Sequence, residues 1–238
     1  MITRNLQQVR DRITTACVAA ARNPADVRLI AVSKTFGADA VIDAISDGQR
    51  AFGENYIAEG VEKILALHAW QATQADSARL ALEWHCIGPV QSNKTRLVAE
   101  HFDWVQSVDR LKIAQRLSEQ RPTHLPPLQI CLQVNVDDGV NKSGVAPAEV
   151  QALAQAVAQL PRLTLRGLMA IPEPAIDFEA ACALHAKTKA IFDAVNASGT
   201  LHTPMDTLSL GMTADLEAAI HAGSTLVRIG TAIFGSRS

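Results

Sequence analysis

Val27-Arg-Leu-Ile-Ala-Val-Ser-Lys34 is a short apolar run, rich in β-branched residues, that stops on a lysine. It reads as a strand. Ala38 to Asp47 follows with apolar residues at helical spacing, and Gly48 stands where a helix C-cap belongs. Outward from this strand-helix unit the same alternation continues in both directions. On the N-terminal side, Ile2, Leu6, Val9, Ile13, Cys17 and Ala20 recur at steps of three and four, the stripe of an amphipathic helix. On the C-terminal side, strands are expected near Arg50 to Gly53, Leu82 to Ile87, Trp104 to Val108, Leu128 to Asn135, Leu163 to Met169, Thr207 to Leu210 and Leu226 to Ile229. Helices are expected over Tyr56 to Ala72, Ser92 to Glu100, Arg110 to Gln120, Ala148 to Gln159, Asp177 to Ser198 and Thr213 to Ala222, and the last strand runs into Thr231 to Phe234.

Leu128 to Asn135 has the mostly apolar character of a parallel strand covered on both faces. Eight strands alternating with helices in 238 residues predict a single (β/α)₈ TIM barrel over residues 1–238, with one extra N-terminal helix. An open doubly wound sheet is the alternative. Nothing divides the chain: Pro122 to Pro127 reads as a loop before a strand, because Pro126-Pro127 cannot continue a helix.

Lys+Arg 22 against Asp+Glu 24 leaves a net charge of −2, so bulk charge gives no reason to expect nucleic acid or an anionic membrane. Aromatic residues are 4% of the chain and Tyr56 is its one tyrosine, too few for a base-stacking surface. Cys17, Cys86, Cys131 and Cys182 form no CxxC pair, which argues against a disulfide framework or a cysteine zinc site and for a reducing cytoplasm. Arg4, Arg10, Asp11 and Arg12 precede any long apolar run, so neither a signal peptide nor a membrane span is expected. The seven histidines include no HExxH arrangement, and no metal is expected.

Barrels place their chemistry at the C-terminal ends of the strands. The polar residues expected there are Lys34, Asn55, His85, Ser107, Asn135, Ser209 and Arg228, with Met169 among them. Lys34 closes an apolar segment, where desolvation favours a neutral amine able to attack a carbonyl. Ser209-Leu-Gly211-Met-Thr213 and Arg228-Ile-Gly230-Thr231 end strands seven and eight in glycine turns that lead into helices. That corner is the recurrent phosphate site of barrels, where glycine lets backbone N–H groups approach the oxygens and Ser209 and Thr231 add hydroxyls. Strands one and eight are neighbours in a closed barrel. A small molecule with an aldehyde at one end and a phosphate at the other spans both features, which describes pyridoxal 5′-phosphate (PLP).

Ile30-Ala-Val-Ser-Lys34-Thr, Phe52-Gly-Glu-Asn-Tyr56, Trp84-His-Cys-Ile-Gly88, Gln133-Val-Asn135, Lys142-Ser-Gly144, Arg166-Gly-Leu-Met169, Leu208-Ser-Leu-Gly-Met212 and Val227-Arg-Ile-Gly-Thr231-Ala-Ile-Phe-Gly235 resemble the pyridoxal phosphate homeostasis family, also called YggS or PROSC. The resemblance implies a fold-type III barrel like the N-terminal domain of alanine racemase. It makes Lys34 the Schiff-base lysine, gives the phosphate to Ser209, Gly230 and Thr231, and sets Arg228 against the pyridine nitrogen. Asn55, His85 and Met169 are candidates beside the cofactor. Cys86 departs from the pattern, which has Phe there, a change expected to alter packing beneath the site.

A cationic Arg228 disfavours protonation of the ring nitrogen and weakens carbanion chemistry. Tyr56 does not match the context of the racemase tyrosine and reads as a packing residue. Lys142, in a polar loop, reads as a solvated rival amine, and Lys94 as a surface residue. The expectation is therefore an intracellular PLP carrier or buffer without turnover, probed against two alternatives: a PLP-dependent amino-acid racemase and a class I aldolase. Its expected partners are PLP and apo PLP-dependent enzymes, and the chain is expected to be a monomer.

Overall fold

The computed structural model describes residues 1–74, 80–137 and 143–235. Eight parallel strands close into a barrel in sequence order: β1 (Arg28–Val32), β2 (Ala51–Glu54), β3 (Glu83–Cys86), β4 (Trp104–Val108), β5 (Leu128–Gln133), β6 (Leu163–Met169), β7 (Thr207–Ser209) and β8 (Leu226–Ile229). Closure comes from β1 pairing with β8, Arg28 opposite Leu226 through Ala31 opposite Ile229. The open-sheet alternative is thereby excluded.

The helices are α1 (Ile2–Ala19), α2 (Ala38–Ser46), α3 (Ile57–Ala72), α4 (Thr95–His101), α5 (Leu111–Gln120), α6 (Val150–Ala158), α7 (Phe178–Ala197), α8 (Leu216–His221) and α9 (Thr231–Phe234). The strands over 104–108, 163–169 and 226–229 fall where the sequence puts them. Three helix starts differ by two or three residues for local reasons. Residues 92–94 form a turn, with the Lys94 N–H donating to Gln91 O at 2.9 Å, so α4 begins only at Thr95. Pro147 opens a 3₁₀ turn, so α6 begins only at Val150. Asp215 Oδ1 accepts the Met212 N–H at 2.7 Å and holds residues 212–215 as a turn before α8.

The extra helix α1 buries Leu6, Val9, Ile13, Ala16 and Cys17, each large side chain contributing ~1.5–3 kcal/mol by leaving water. Polar contacts fix its register against the last β/α units. The Asn5 side-chain amide donates to Ile233 O at 2.8 Å, and Arg12 reaches Glu217 at 2.8 Å and Thr213 O at 3.0 Å. Among the described residues, no helix is long and apolar enough to cross a membrane.

Candidate functional site

The C-terminal mouth of β1 carries Lys34, half-buried, two residues beyond the last strand position. Its amine has no hydrogen-bond or ion-pair partner among the described residues. The next residue, Thr35, has φ +68°, a left-handed conformation that a β-branched residue adopts only when its surroundings impose it. Those surroundings are charged. The Thr35 N–H donates to Glu59 Oε1 at 2.5 Å, and Ser33 Oγ donates to Glu54 Oε1 at 2.6 Å. Lys63, almost wholly buried, donates to Ser33 O at 2.8 Å, Glu54 Oε1 at 2.6 Å and Glu59 Oε1 at 3.2 Å. Burial pushes the Glu54 carboxyl above its usual range, against the pull of Lys63.

At β8 the chain passes from Arg228 through Gly230 into α9. A methyl group on Gly230 would lie 3.1 Å from Val32 O, so the turn after β8 sits directly against the end of β1. Thr231 and Ala232 open α9, and their N–H groups are first-turn donors with no acceptor inside the helix. Thr231 is exposed and free to meet a ligand. The Gly211 turn joins this corner through its carbonyl, which accepts the Arg228 N–H at 3.0 Å.

Arg228 itself is buried. One guanidinium nitrogen donates to Ser209 O at 2.8 Å and Ser209 Oγ at 2.6 Å, the other to Ala170 O at 3.1 Å. Burial lowers its pKa to about 10, partly opposed by Asp215, so it stays cationic at neutral pH. From Ser209 a chain of hydrogen bonds crosses the barrel. Ser209 Oγ donates to Gln106 Oε1 at 2.7 Å, and Gln106 Nε2 contacts His85 Nδ1 at 2.9 Å. His85 Nε2 contacts Glu83 Oε1 at 2.7 Å, and Arg28 donates to the same oxygen at 2.6 Å. Strands β7 and β4 are not sheet neighbours, so the Ser209–Gln106 bond must run through the interior. Because the Gln106 amide donates into Nδ1, the His85 proton belongs on Nε2, facing Glu83. Full burial holds the His85 pKa below its usual value despite that carboxylate, keeping the ring neutral.

This arrangement bears on two expectations. Ser209 Oγ donates to Gln106 and accepts from Arg228, so a phosphate would have to take the hydroxyl from Gln106. His85, expected at the mouth, has both ring nitrogens engaged within the barrel and stacks on Trp104 at 5.2 Å between centroids. Met169 is likewise buried, in a cluster with Trp104 and Cys131. Asn55 lies half-buried one residue past β2, with its carbonyl against Gly88 so closely that a methyl there would sit 2.1 Å away. Ser107 donates to Gly88 O at 2.5 Å, which clamps the same turn. Asn135 Oδ1 accepts the Asp137 N–H at 3.4 Å.

Tyr56, expected to pack, is half exposed at the start of α3. Lys142 lies outside the described residues, and Lys94 precedes α4 half-buried. Cys86 is buried in the main core, its thiol pushed up to about 12 by desolvation. Sequence reasoning passed over Glu54, Glu59, Lys63, Gln106 and Glu83. The available signals were the Glu59-to-Lys63 spacing of four on α3 and a glutamine on an otherwise buried strand.

A separate cavity of about 370 Å³ is lined by Pro172, Phe178, His185, Met212 and Asp215, and includes none of Lys34, Arg228 or Thr231. His185 Nε2 lies 2.9 Å from Asp215 there. Among the described residues, no group of three or more His, Cys, Asp or Glu side chains is placed to hold a metal ion.

Residues 3–238 match the family described as alanine racemase, N-terminal domain. The chain is 55% identical to the pyridoxal phosphate homeostasis protein of Pseudomonas aeruginosa PAO1, covering 99% of this chain and 96% of that protein. The chain belongs to the pyridoxal phosphate homeostasis family. Within that family it is also 52% identical to the Escherichia coli K12 protein of the same name, covering 99% of this chain and 97% of that one. Among solved structures, PipY of Synechococcus elongatus PCC7942 with PLP bound aligns with a TM-score of 0.82 at 32% identity, over 99% of this chain and 100% of PipY. An alanine racemase of Clostridium difficile aligns with a TM-score of 0.71 at 15% identity, over 99% of this chain and 56% of that one, a likeness of barrel fold alone.

Proposed function

We propose that this chain binds pyridoxal 5′-phosphate, holds its aldehyde as a Schiff base on Lys34, and serves inside the cell as a carrier or buffer of the cofactor rather than as a catalyst. One observation carries the reading: a lysine amine without a partner among the described residues lies at the mouth of β1, and the glycine turn after β8 packs so near the end of that strand that a methyl on Gly230 would meet Val32 O at 3.1 Å. An amine and a set of free backbone N–H groups are what an aldehyde and a phosphate on one small molecule require. The bound PLP of PipY and the names of the close relatives support the same reading.

The residues fit the group. Lys34 takes the aldehyde end, Gly230 and Thr231 the phosphate, and Arg228 the pyridine nitrogen. Ser209 fixes Arg228 from below, while Asn55, His85 and Met169 complete the surrounding wall and the barrel beneath it. When bound, PLP supplies an aldehyde and an electron-withdrawing ring. Arg228 keeps that ring nitrogen unprotonated, because a proton there faces an adjacent cation rather than a carboxylate. The assignment names no second acid-base group for the opposite face; Tyr56 stands half exposed at the start of α3.

The deciding experiment is the absorbance spectrum of the protein with PLP, before and after borohydride, followed by peptide mass mapping. A visible band, a reduced pyridoxyl group on Lys34, and loss of both in Lys34→Ala are expected. Absence of an adduct, or its persistence in Lys34→Ala, overturns the assignment. A carrier also delivers PLP to an apo-enzyme faster than it releases PLP into buffer, and exchanges no α-proton of amino acids above free cofactor.

A further inference from the structure

The two peptide groups flanking Lys34 are both gripped by one charged cluster. Upstream, the Ser33 carbonyl accepts from Lys63 Nζ and the Ser33 hydroxyl donates to Glu54. Downstream, the Thr35 N–H donates to Glu59, which is itself within 3.2 Å of Lys63. We infer that Glu54, Lys63 and Glu59 are positioning residues for Lys34: they fix the backbone of residues 33–35 and so aim the lysine amine along the barrel mouth.

Three features support this beyond ordinary packing. A buried ion pair is a poor device for stability, because desolvating both charges offsets most of their attraction, so its placement asks for another explanation. Here the Glu54–Lys63 pair is nearly fully buried, and Glu54 commits Oε1 to Ser33 and Lys63 while its Oε2 is buried without a hydrogen-bond partner. Second, Thr35 is held at φ +68° beside the one residue that must present a reactive group, and strained backbone of this kind persists only when its neighbours over-determine it. Third, Lys63 is a second amine close to the same strand end, and its three acceptors occupy it, leaving Lys34 as the amine available to a carbonyl.

The inference rests on the cofactor reading above. In that reaction the Lys34 nitrogen bonds to the aldehyde carbon, the carbonyl oxygen leaves as one water, and a C=N bond results. A lysine carried on an unrestrained turn would sample many directions, whereas one whose flanking peptides are fixed meets the carbonyl at higher effective concentration. The cluster should therefore affect the covalent step and leave capture of ring and phosphate nearly unchanged.

The test separates those two events in the full-length chain. Pyridoxamine 5′-phosphate shares the ring and phosphate of PLP but has no aldehyde, so its affinity reads capture alone. Glu59→Ala is expected to slow appearance of the Lys34 adduct by about tenfold, with pyridoxamine 5′-phosphate affinity within about twofold of wild type. Glu59→Gln keeps the acceptor oxygen for Thr35 and should restore most of the rate. The paired change Glu54→Gln with Lys63→Met removes the buried charges together and should slow the adduct in the same way. Glu59 is partly exposed, so its two variants carry the test if the buried pair change fails to fold.

Adduct formation at the wild-type rate in folded Glu59→Ala overturns the inference while leaving the cofactor reading intact. Equal loss of adduct rate and pyridoxamine 5′-phosphate affinity also overturns it, since that is the mark of general structural damage. If wild-type protein forms no adduct, the cofactor reading itself has failed.

Discussion

Replacing Gln106 by Leu cuts the hydrogen-bond chain inside the barrel at its midpoint. Two buried groups lose their partner at once: the Ser209 hydroxyl, whose acceptor is Gln106 Oε1, and His85 Nδ1, whose donor is Gln106 Nε2. An orphaned buried polar group costs ~1–3 kcal/mol, and leucine recovers part of the sum by burying an apolar body of similar size. The net loss should be about 3 kcal/mol, equivalent to a fall in Tm of about 6–12 °C for a chain of this length. Equilibrium denaturation followed by tryptophan fluorescence and circular dichroism reads the free energy. Nitrogen-15 spectra of the imidazole read the tautomer, with wild type carrying its proton on Nε2. In a Ser209→Ala background the Gln106→Leu cost should shrink by ~1–3 kcal/mol, because one of its two victims is already gone. A loss below about 1 kcal/mol for the single change, or a wild-type imidazole proton on Nδ1, would refute the directional chain.

Other consequences can be measured separately. Gly88→Ala puts a methyl 2.1 Å from Asn55 O, backbone against backbone, and should cost about 3 kcal/mol in denaturation; a loss under 1 kcal/mol would show that the turn yields freely. Glu83 is partly buried, which by itself raises its pKa, but bonds from His85 and Arg28 bring it below the ordinary carboxylate range. Its stabilisation is therefore complete above the unfolded pKa and is lost as pH falls through the folded value. Glu83→Gln should flatten the acid limb of a stability-against-pH curve, and an unchanged limb would contradict the pairing. Desolvation pushes the buried Cys86 and Cys131 thiols up to about 12, so native alkylation at pH 8 should mark the partly exposed Cys182 well before either. Peptide mapping after short exposure decides, and early labelling of Cys86 would contradict its burial.

The barrel was legible because its signal repeats. An apolar run followed by a 3.6-residue period recurs around the chain, and one such unit, Val27 to Gly48, already defines the rule. The mouth residues Lys34, Gly230 and Thr231 were legible because an amine after an apolar strand and a glycine before a helix are local patterns. What escaped was everything set by contacts between distant segments. Ser209 looks like a phosphate donor from its neighbours in sequence, yet its proton goes to Gln106, more than a hundred residues earlier and across the barrel. His85 looks like a mouth residue from its place near the end of β3, but which way a strand residue faces depends on register with its neighbours. The Glu54, Glu59 and Lys63 cluster joins a strand end to a helix, and no single-element periodicity marks it.

The tie between Asn5 and Ile233 also has a consequence for how the molecule is made. Asn5 leaves the ribosome well ahead of the carbonyl it grips, which is synthesised 228 positions later. At ~5–20 residues per second that separation is roughly 10–45 s. Throughout it, the buried face of α1 lacks the α8 and α9 partners it has in the finished fold. The contact between α1 and α9 is thus made only after the seven intervening β/α units have been synthesised, so the fold closes on a segment that has waited for its partner.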